Sequence, residues 1–508
     1  MASTSRPSVP GGRRPRLSPC LLVLAALVGC ASSTDPGGDE DLGPPAPITD
    51  LRVTAFTATS VTLAWTATGD DGDRGTCARY ELRRHEAFLY PANWDEGVVV
   101  PGLPAPAPAG QPESFTATGL QPESRAFFAL SAWDDAGNSF GVSNCAEALC
   151  IDNTEVAIPD AALEAAVRAR LGIPTAPLRR LDLRGLGDLT AEEAGIVSLA
   201  GLQECPNLEV LHLRGNAVAD LGPLAALARL RHLGLVANQV ADLAPLADLP
   251  ALQVLWLDDD PVASLAPLAG LTSLQALHLD RTGAADLTAL ASLTGLRELR
   301  LAGNAVTDLA PLAGLTTLET LDLMGNSLGS LAPLAGLTSL QWLSVRSCGT
   351  PDLSPLAPLV SLTHLDAVGD AVTDLTPLAG LTALTRAMLA NNAIADLTPL
   401  AGLTGLEVLA LGGNAVTNVA PLAALAGLSH LYLYANALTD LTPLAGLENL
   451  AVLHIHYNRI ADLAPLVANA GLGQGDEVDV GHNPLSATAL AEQIPALEAR
   501  GVSVLQSR

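Results

Sequence analysis

From Leu208 to Gly471 apolar residues return at fixed places in a 22-residue unit, LxxLxLxxNxVxDLxPLAxLxx, twelve times without an insertion. The opening LxxLxLx alternates apolar and polar side chains. It predicts a short strand whose leucines point inward and whose intervening side chains point out. In the DLxPLAxL half, proline and its spacing favour a short turn or 3₁₀ piece over a full helix. No single unit can bury its leucine face alone, so the units must stack into one parallel sheet over a continuous core. Asn216, Asn238, Asn304, Asn326, Asn392, Asn414, Asn436 and Asn458 hold the ninth position. Their amides can satisfy backbone groups in the turn after each strand and form a ladder along the stack.

Both open ends of such a stack need covering. Residues 154–207 read as an N-terminal cap and a first irregular repeat: Ile158-Pro159-Asp160 precedes an apolar helical pattern that runs to Leu171. Residues 472–508 read as the C-terminal cap, in which the pattern degenerates through Val478-Asp479-Val480 and Ala487 to Ala499 closes the end as a helix. Upstream, residues 47–153 carry short alternating segments, Leu51–Ala55, Ser60–Trp65, Arg79–Arg83, Ser114–Ala117 and Phe127–Trp133, the spacing of a small antiparallel sandwich. Residues 30–46, rich in Asp, Gly, Pro and Ser, have nothing to bury and read as a flexible tether. Before them, Arg6, Arg13, Arg14 and Arg16 precede an apolar run from Cys20 to Leu27, the order of a secretory signal peptide over residues 1–29. That run is shorter than the roughly 20 residues that span a bilayer.

Three resemblances follow from these residues. The 22-residue unit resembles the leucine-rich repeats of internalins and of a eukaryotic phosphatase-regulating protein, which implies a horseshoe with an irregular convex side and a ligand-binding concave face. Trp65, Tyr80-Glu81-Leu82-Arg83, Gly119-Leu120-Gln121-Pro122 and the run from Trp133 to Asn138 resemble a bacterial fibronectin type III domain. The likeness departs at Ala126, where that family has a corner tyrosine. Leu27-Val28-Gly29-Cys30 resembles the lipobox of bacterial lipoproteins, which implies cleavage before Cys30, its acylation, and export to the cell envelope. Ala31 and Ser32 imply the outer membrane under that family's sorting rules. The expected fold is thus multidomain, a fibronectin-like β-sandwich followed by a leucine-rich-repeat solenoid.

Composition narrows the function. The chain has 53 acidic and 26 basic residues, every basic one an arginine, for a net charge of -27. Such a surface repels phosphate backbones and argues against nucleic acid. Of the seven cysteines, Cys77, Cys145, Cys150, Cys205 and Cys348 remain once Cys20 and Cys30 are set aside. An odd number leaves at least one unpaired; a bridge from Cys77 to Cys145 or Cys150 is a candidate, and the connectivity stays open. Asp70, Asp71 and Asp73 on one loop, with Asp134 and Asp135 on another, are candidate calcium ligands or, more simply, solvated turn residues. No nucleophile elbow, phosphate loop or metalloprotease motif is present, so no catalysis, cofactor or resident metal is expected.

In the leucine-rich-repeat class that the unit resembles, the polar strand positions form the concave face, which implies the third, fifth, seventh and eighth residues of each repeat. All five aromatics of residues 154–508 fall there: Trp256, Trp342, Tyr432, Tyr434 and Tyr457. Rigidly displayed aromatics are enriched at binding hot spots. They define one candidate site of His430, Tyr432, Tyr434, His454, His456 and Tyr457, and a second around Trp256 with Asp258, Asp259, His278, Asp280, Arg281 and Arg300. His454 and His456 face the same way and invite a zinc reading, but no third ligand stands at a recognised spacing. The expected partner is a protein, with a polysaccharide stacking on the aromatic rings, or a purely structural envelope role, as alternatives. Finally, Cys348, Thr350 and Ala367 depart from the consensus and mark residues 340–383 as the expected weak point.

Overall fold

The computed structural model describes residues 43–506; Cys30, the lipobox and the signal segment lie outside them. The chain divides into two compact units, with the boundary in sequence between Ile151 and Asp152.

Among its described residues the first unit contains seven strands: β1 (Arg52–Phe56), β2 (Ser60–Thr66), β3 (Arg79–His85), β4 (Val98–Val100), β5 (Pro112–Thr118), β6 (Ser124–Trp133) and β7 (Ala146–Cys150). They form two antiparallel sheets, β1-β2-β5 and β4-β3-β6-β7. Alternation sends Val61, Leu63 and Trp65 of β2 into the same core as Tyr80 and Leu82 of β3 and Phe128 and Leu130 of β6. Trp65, fully buried, meets the Tyr80 ring edge-on at 5.5 Å. Asp134 closes its own turn, accepting from the Asn138 backbone N–H at 2.6 Å and the Asn138 amide at 2.9 Å.

The candidate bridges from Cys77 are not formed, and all five cysteines of the described residues are free thiols. Geometry explains it. Cys150 pairs with Ser124 at one end of β6, while the Ala78 backbone bonds Trp133 at the other. Nine residues of strand separate the two ends by roughly 30 Å, against the ~7 Å that a disulfide tolerates between Cα atoms. Cys145 stands next to the partner of Phe128, with its Sγ accepting from the Leu89 N–H at 3.4 Å. That is still roughly 17 Å along the strand from Cys77.

The second unit opens with a helix, α1 (Ala161–Leu171). Asp160 caps it, one carboxylate oxygen accepting from the Ala162 and Leu163 N–H groups at 3.0 Å. The other oxygen accepts from Val197 and Ser198 at 2.7 and 3.0 Å, so one side chain both starts the helix and fastens it to the first repeat. Fifteen parallel three-residue strands follow in chain order, from Asp188–Thr190 to Ser503–Leu505. Between most of them the chain returns through a short 3₁₀ segment. Asp220, Asp308 and Asp374 each accept from the backbone N–H two residues on, at 2.8 Å, and set the turn at its head. The inward leucines are almost wholly excluded from solvent and form one cluster from the cap helix to Val502.

The asparagine ladder is built as a chain of shared hydrogen bonds. Asn326 accepts from the Val306 N–H at 2.9 Å and donates to the Leu301 and Leu323 carbonyls at 2.8 Å, thereby joining its own turn to the preceding repeat. Asp260, Thr282, Cys348 and Asp370 take this position in four repeats. The C-terminal cap is richer than a single closing helix. A π-helical turn (Ala489–Gln493) leads into α-helix Ile494–Ala499, and the chain then turns at Gly501 (φ 89°) to add strand Ser503–Leu505 beside Glu477–Asp479. Three residues are too few to show alternation, so that last strand leaves no mark in the sequence.

Candidate functional site

Because successive strands pair in register, concave-face residues of one position form rows across the sheet. Tyr432, His454 and Asp479 are neighbours in one such row, as are His430, Val452 and Glu477 in another. The C-terminal candidates are therefore brought together. Tyr432 meets His454 edge-on at 5.1 Å, Tyr434 stacks on His456 at 5.0 Å and 4°, and Tyr457 meets His456 at 5.6 Å.

Three residues outside the sequence-based set complete this patch. Tyr457 stacks on His482 at 4.1 Å and 10°. Glu477 Oε1 lies 2.8 Å from His454 Nε2, and Asp479 Oδ2 lies 2.9 Å from His456 Nδ1. The signal for them was present: Val478 to Asn483 keeps the alternation and ends in an asparagine that donates to the Ile455 carbonyl at 2.9 Å, as a ladder residue does. The hydrogen bond to Glu477 orients the His454 ring, whereas Asp479 stands close to His456 Nδ1 without making a hydrogen bond to it.

The aromatics stand less free than alternation alone suggests. Tyr457 is 56% exposed, but Trp256, Trp342, Tyr432 and Tyr434 are half-buried. They lean on their neighbours, about 4.8 Å away per strand. Glycines make this possible: a Cβ on Gly412 would stand 2.2 Å from the Tyr434 ring, and one on Gly234 would stand 2.7 Å from His212 and 3.4 Å from Trp256. Trp256 is held between His212 at 5.4 Å and His278 at 5.5 Å, with its Nε1 buried and without a hydrogen-bond partner.

Around Trp256 the charged candidates are largely occupied with one another. Asp258 accepts from the Asp280 N–H at 2.8 Å, and Asp280 accepts from the Ala302 N–H at 2.7 Å, so both carboxylates brace the backbone after the strands. Burial raises Asp280 above the usual carboxylate range. Arg281 forks onto Asp259 at 2.6 and 2.7 Å, and Arg300 and His278 converge on Glu298 at 2.9 and 3.0 Å. Trp342 stands apart from both patches, two strands beyond Glu298 and Arg300, beside Thr320. Among the described residues no group of three or more His, Cys, Asp or Glu side chains is arranged to hold a metal ion.

Residues 206–248 and 294–336 match the family described as leucine-rich repeats in two copies. The chain is similar to an internalin of Listeria monocytogenes, inlF, with 33% identity over 62% of this chain and 94% of that one, at a TM-score of 0.61. It shares its fold with a leucine-rich-repeat protein of Leptospira interrogans (23% identity, 61% of this chain and 80% of that one, TM-score 0.57). It also shares it with the functional domain of InlJ from Listeria monocytogenes, which includes a cysteine ladder (20% identity, 64% and 80%, TM-score 0.50). No curated protein matches the chain.

Proposed function

Since the chain belongs to the internalin-type leucine-rich-repeat family, we propose that it is a protein-binding or adhesion module whose concave face holds the partner, without catalysis. The observation that carries this reading is the continuous ring surface formed by Tyr432, Tyr434, His454, His456, Tyr457 and His482 on three adjacent strands. Such a surface is rigid before a partner arrives, so little ordering entropy opposes binding. Trp256, Asp258, Asp280 and Trp342 stand on the same face, on strands nearer the N-terminal end of the sheet. No mobile nucleophile or empty acid–base pair is needed for this task, and Asp258 and Asp280 are already engaged with backbone.

The rest of the chain serves display. The lipobox ending at Cys30 anchors the protein to the cell envelope by lipid, at the outer membrane, and the tether lifts the folded part from the bilayer. The first unit, with its three- and four-stranded sheets, its core Trp65 and its Tyr80, is a fibronectin type III-like spacer. The strongly acidic composition argues against nucleic acid as a partner.

The test is to screen the purified full chain against panels of extracellular proteins and of glycans, then repeat each hit with Tyr432→Ala/Tyr434→Ala. Truncating aromatic anchors commonly costs roughly 2 kcal/mol or more, so a protein hit should weaken at least about thirtyfold. Glycan hits without protein hits, or an unchanged affinity in the double variant, would reject the assignment.

A further inference from the structure

Of the solenoid's five aromatic side chains, four have another ring within stacking distance, and Trp342 has none among the described residues. Its ring forms one wall of a hollow of about 480 Å³ on the concave face, lined further by Thr320, Asp322, Glu298 and Arg300. The register explains the shape. Thr320 and Asp322 lie on the middle strand, Glu298 and Arg300 on one neighbour, and Trp342 on the other, opposite Thr320. The small Thr320 leaves the space that the indole overlooks.

The charges of the hollow are unevenly matched. Arg300 is committed to Glu298, with both Nε and Nη2 at 2.9 Å from Oε1. Asp322 has no cation within ion-pair distance among the described residues; one oxygen accepts from the Met324 N–H at 3.0 Å. Burial is the main cost to the Asp322 charge; Asp280 and Asp366 add repulsion, Arg300 on the neighbouring strand offsets part of it from beyond ion-pair distance, and Asp366 is itself paired with Arg346 at 2.9 Å. A carboxylate without a cation in ion-pair contact therefore stands beside an indole face without a ring partner. A cation satisfies both at once, because the ring quadrupole and the carboxylate attract the same charge.

We infer that this hollow seats a basic side chain, an arginine or lysine of the protein bound on the concave face, with its cation over the Trp342 ring and paired to Asp322. The inference rests on the protein-binding reading above and names the chemistry the partner must present there. A neutral sugar could also stack on the indole, but it would draw nothing from the negative field, and the hollow's one cationic donor is already engaged. The chain's charge of -27 favours a basic partner at longer range as well.

The test uses the full chain and the indole N–H resonance of Trp342, assigned by its absence in Trp342→Phe. It is titrated with acetyl-Gly-Arg-Gly-amide, with the lysine peptide, and with the citrulline peptide, which keeps the shape of arginine without the charge. The arginine peptide should shift the Trp342 signal saturably, and both the citrulline peptide and the Asp322→Asn variant should show affinities at least about tenfold weaker. Equal binding by citrulline, undiminished binding in Asp322→Asn, or no shift of Trp342 with either basic peptide overturns the inference. So does a shift produced by cello-oligosaccharides and not by arginine. Tyr432→Ala/Tyr434→Ala, measured in parallel against any protein hit of the screen, separates the two ideas. If that protein still depends on the tyrosines while the arginine peptide fails, only the hollow assignment falls.

Discussion

Asp260 accepts a hydrogen bond from the Val240 backbone N–H at 2.9 Å, the same bond that Asn238 makes to Val218 at 3.0 Å one repeat earlier. The second oxygen of Asp260 thus takes the place of the amide nitrogen that, in Asn238, donates to the Leu213 carbonyl at 2.9 Å. At 1% exposure this oxygen has no donor to meet. It can join the ladder only as a protonated hydroxyl that donates. Burial accordingly pushes the Asp260 carboxyl up to about 7, with Asp259 and Asp258 adding like charge.

The sign of the consequence is fixed by linkage. A folded-state pKa above the unfolded one means that the contribution of Asp260 is complete below about pH 4 and is lost as pH rises towards 7. Asp260→Asn supplies the missing donor without ionising. It should stabilise the solenoid above pH 7 by up to about 4 kcal/mol, since each pKa unit is worth about 1.4 kcal/mol, and should flatten denaturation midpoints between pH 4 and 7. Parallel pH profiles for wild type and variant would remove the protonated-ladder account.

Residues 340–383 gather three polar irregularities in one place. Cys348 supplies only a thiol, whose Sγ donates to the Leu323 carbonyl at 2.9 Å; Thr350 Oγ1 and one oxygen of Asp370 are buried without partners. An unsatisfied buried hydroxyl costs about 1–3 kcal/mol. Thr350→Val restores an apolar residue, valine being the side chain that six of the twelve repeats carry here, and should raise stability by about that amount. Amide exchange should be faster here than in the flanking repeats and slower again in the variant. Uniform protection across the repeats, or a destabilised Thr350→Val, contradicts this.

The parts of the fold legible in the sequence are those that each repeat states independently. Leucine alternation, the Asn ladder and the Asp160 cap follow from residue type and spacing, so the solenoid and the rows of His430, Tyr432, Tyr434, His454 and His456 could be placed in advance. What stayed hidden depends on contacts between repeats. His482 joins the patch only because the cap continues the sheet after an irregular turn. Nor could spacing show that Gly234 lets Trp256 lie down, that Asp258 and Asp280 bond backbone, or that Cys77 and Cys150 stand at opposite ends of β6. Those facts belong to strand neighbours and lengths, which a linear pattern does not carry.

The proposed lipid anchor has its own test, separate from the folded part. Cys30→Ser removes the thiol that lipidation requires, so the protein should leave the membrane fraction and lose fatty-acid label while its fold stays intact. Continued labelling and membrane retention would place the anchor elsewhere.

Gly412 offers a way to disturb the ring surface without removing a ring. A Cβ there would stand 2.2 Å from Tyr434, far inside contact distance, so Gly412→Ala must turn the tyrosine away and break its stack on His456. The backbone bond from Asn391 N–H to the Gly412 carbonyl, at 2.7 Å, needs no side chain and should persist. Overpacking of this kind costs about 1–3 kcal/mol. Gly446→Ala, where a Cβ meets nothing within 4 Å, is the matched control and should be close to neutral. The near-UV circular dichroism of Gly412→Ala should change, and its affinity for a protein partner should fall about as far as that of Tyr434→Ala. In Gly412→Ala/Tyr434→Ala the clash is gone, so the two costs should not add. If Gly412→Ala matches Gly446→Ala in spectrum, stability and binding, the stacked arrangement of Tyr434 is not what the partner meets.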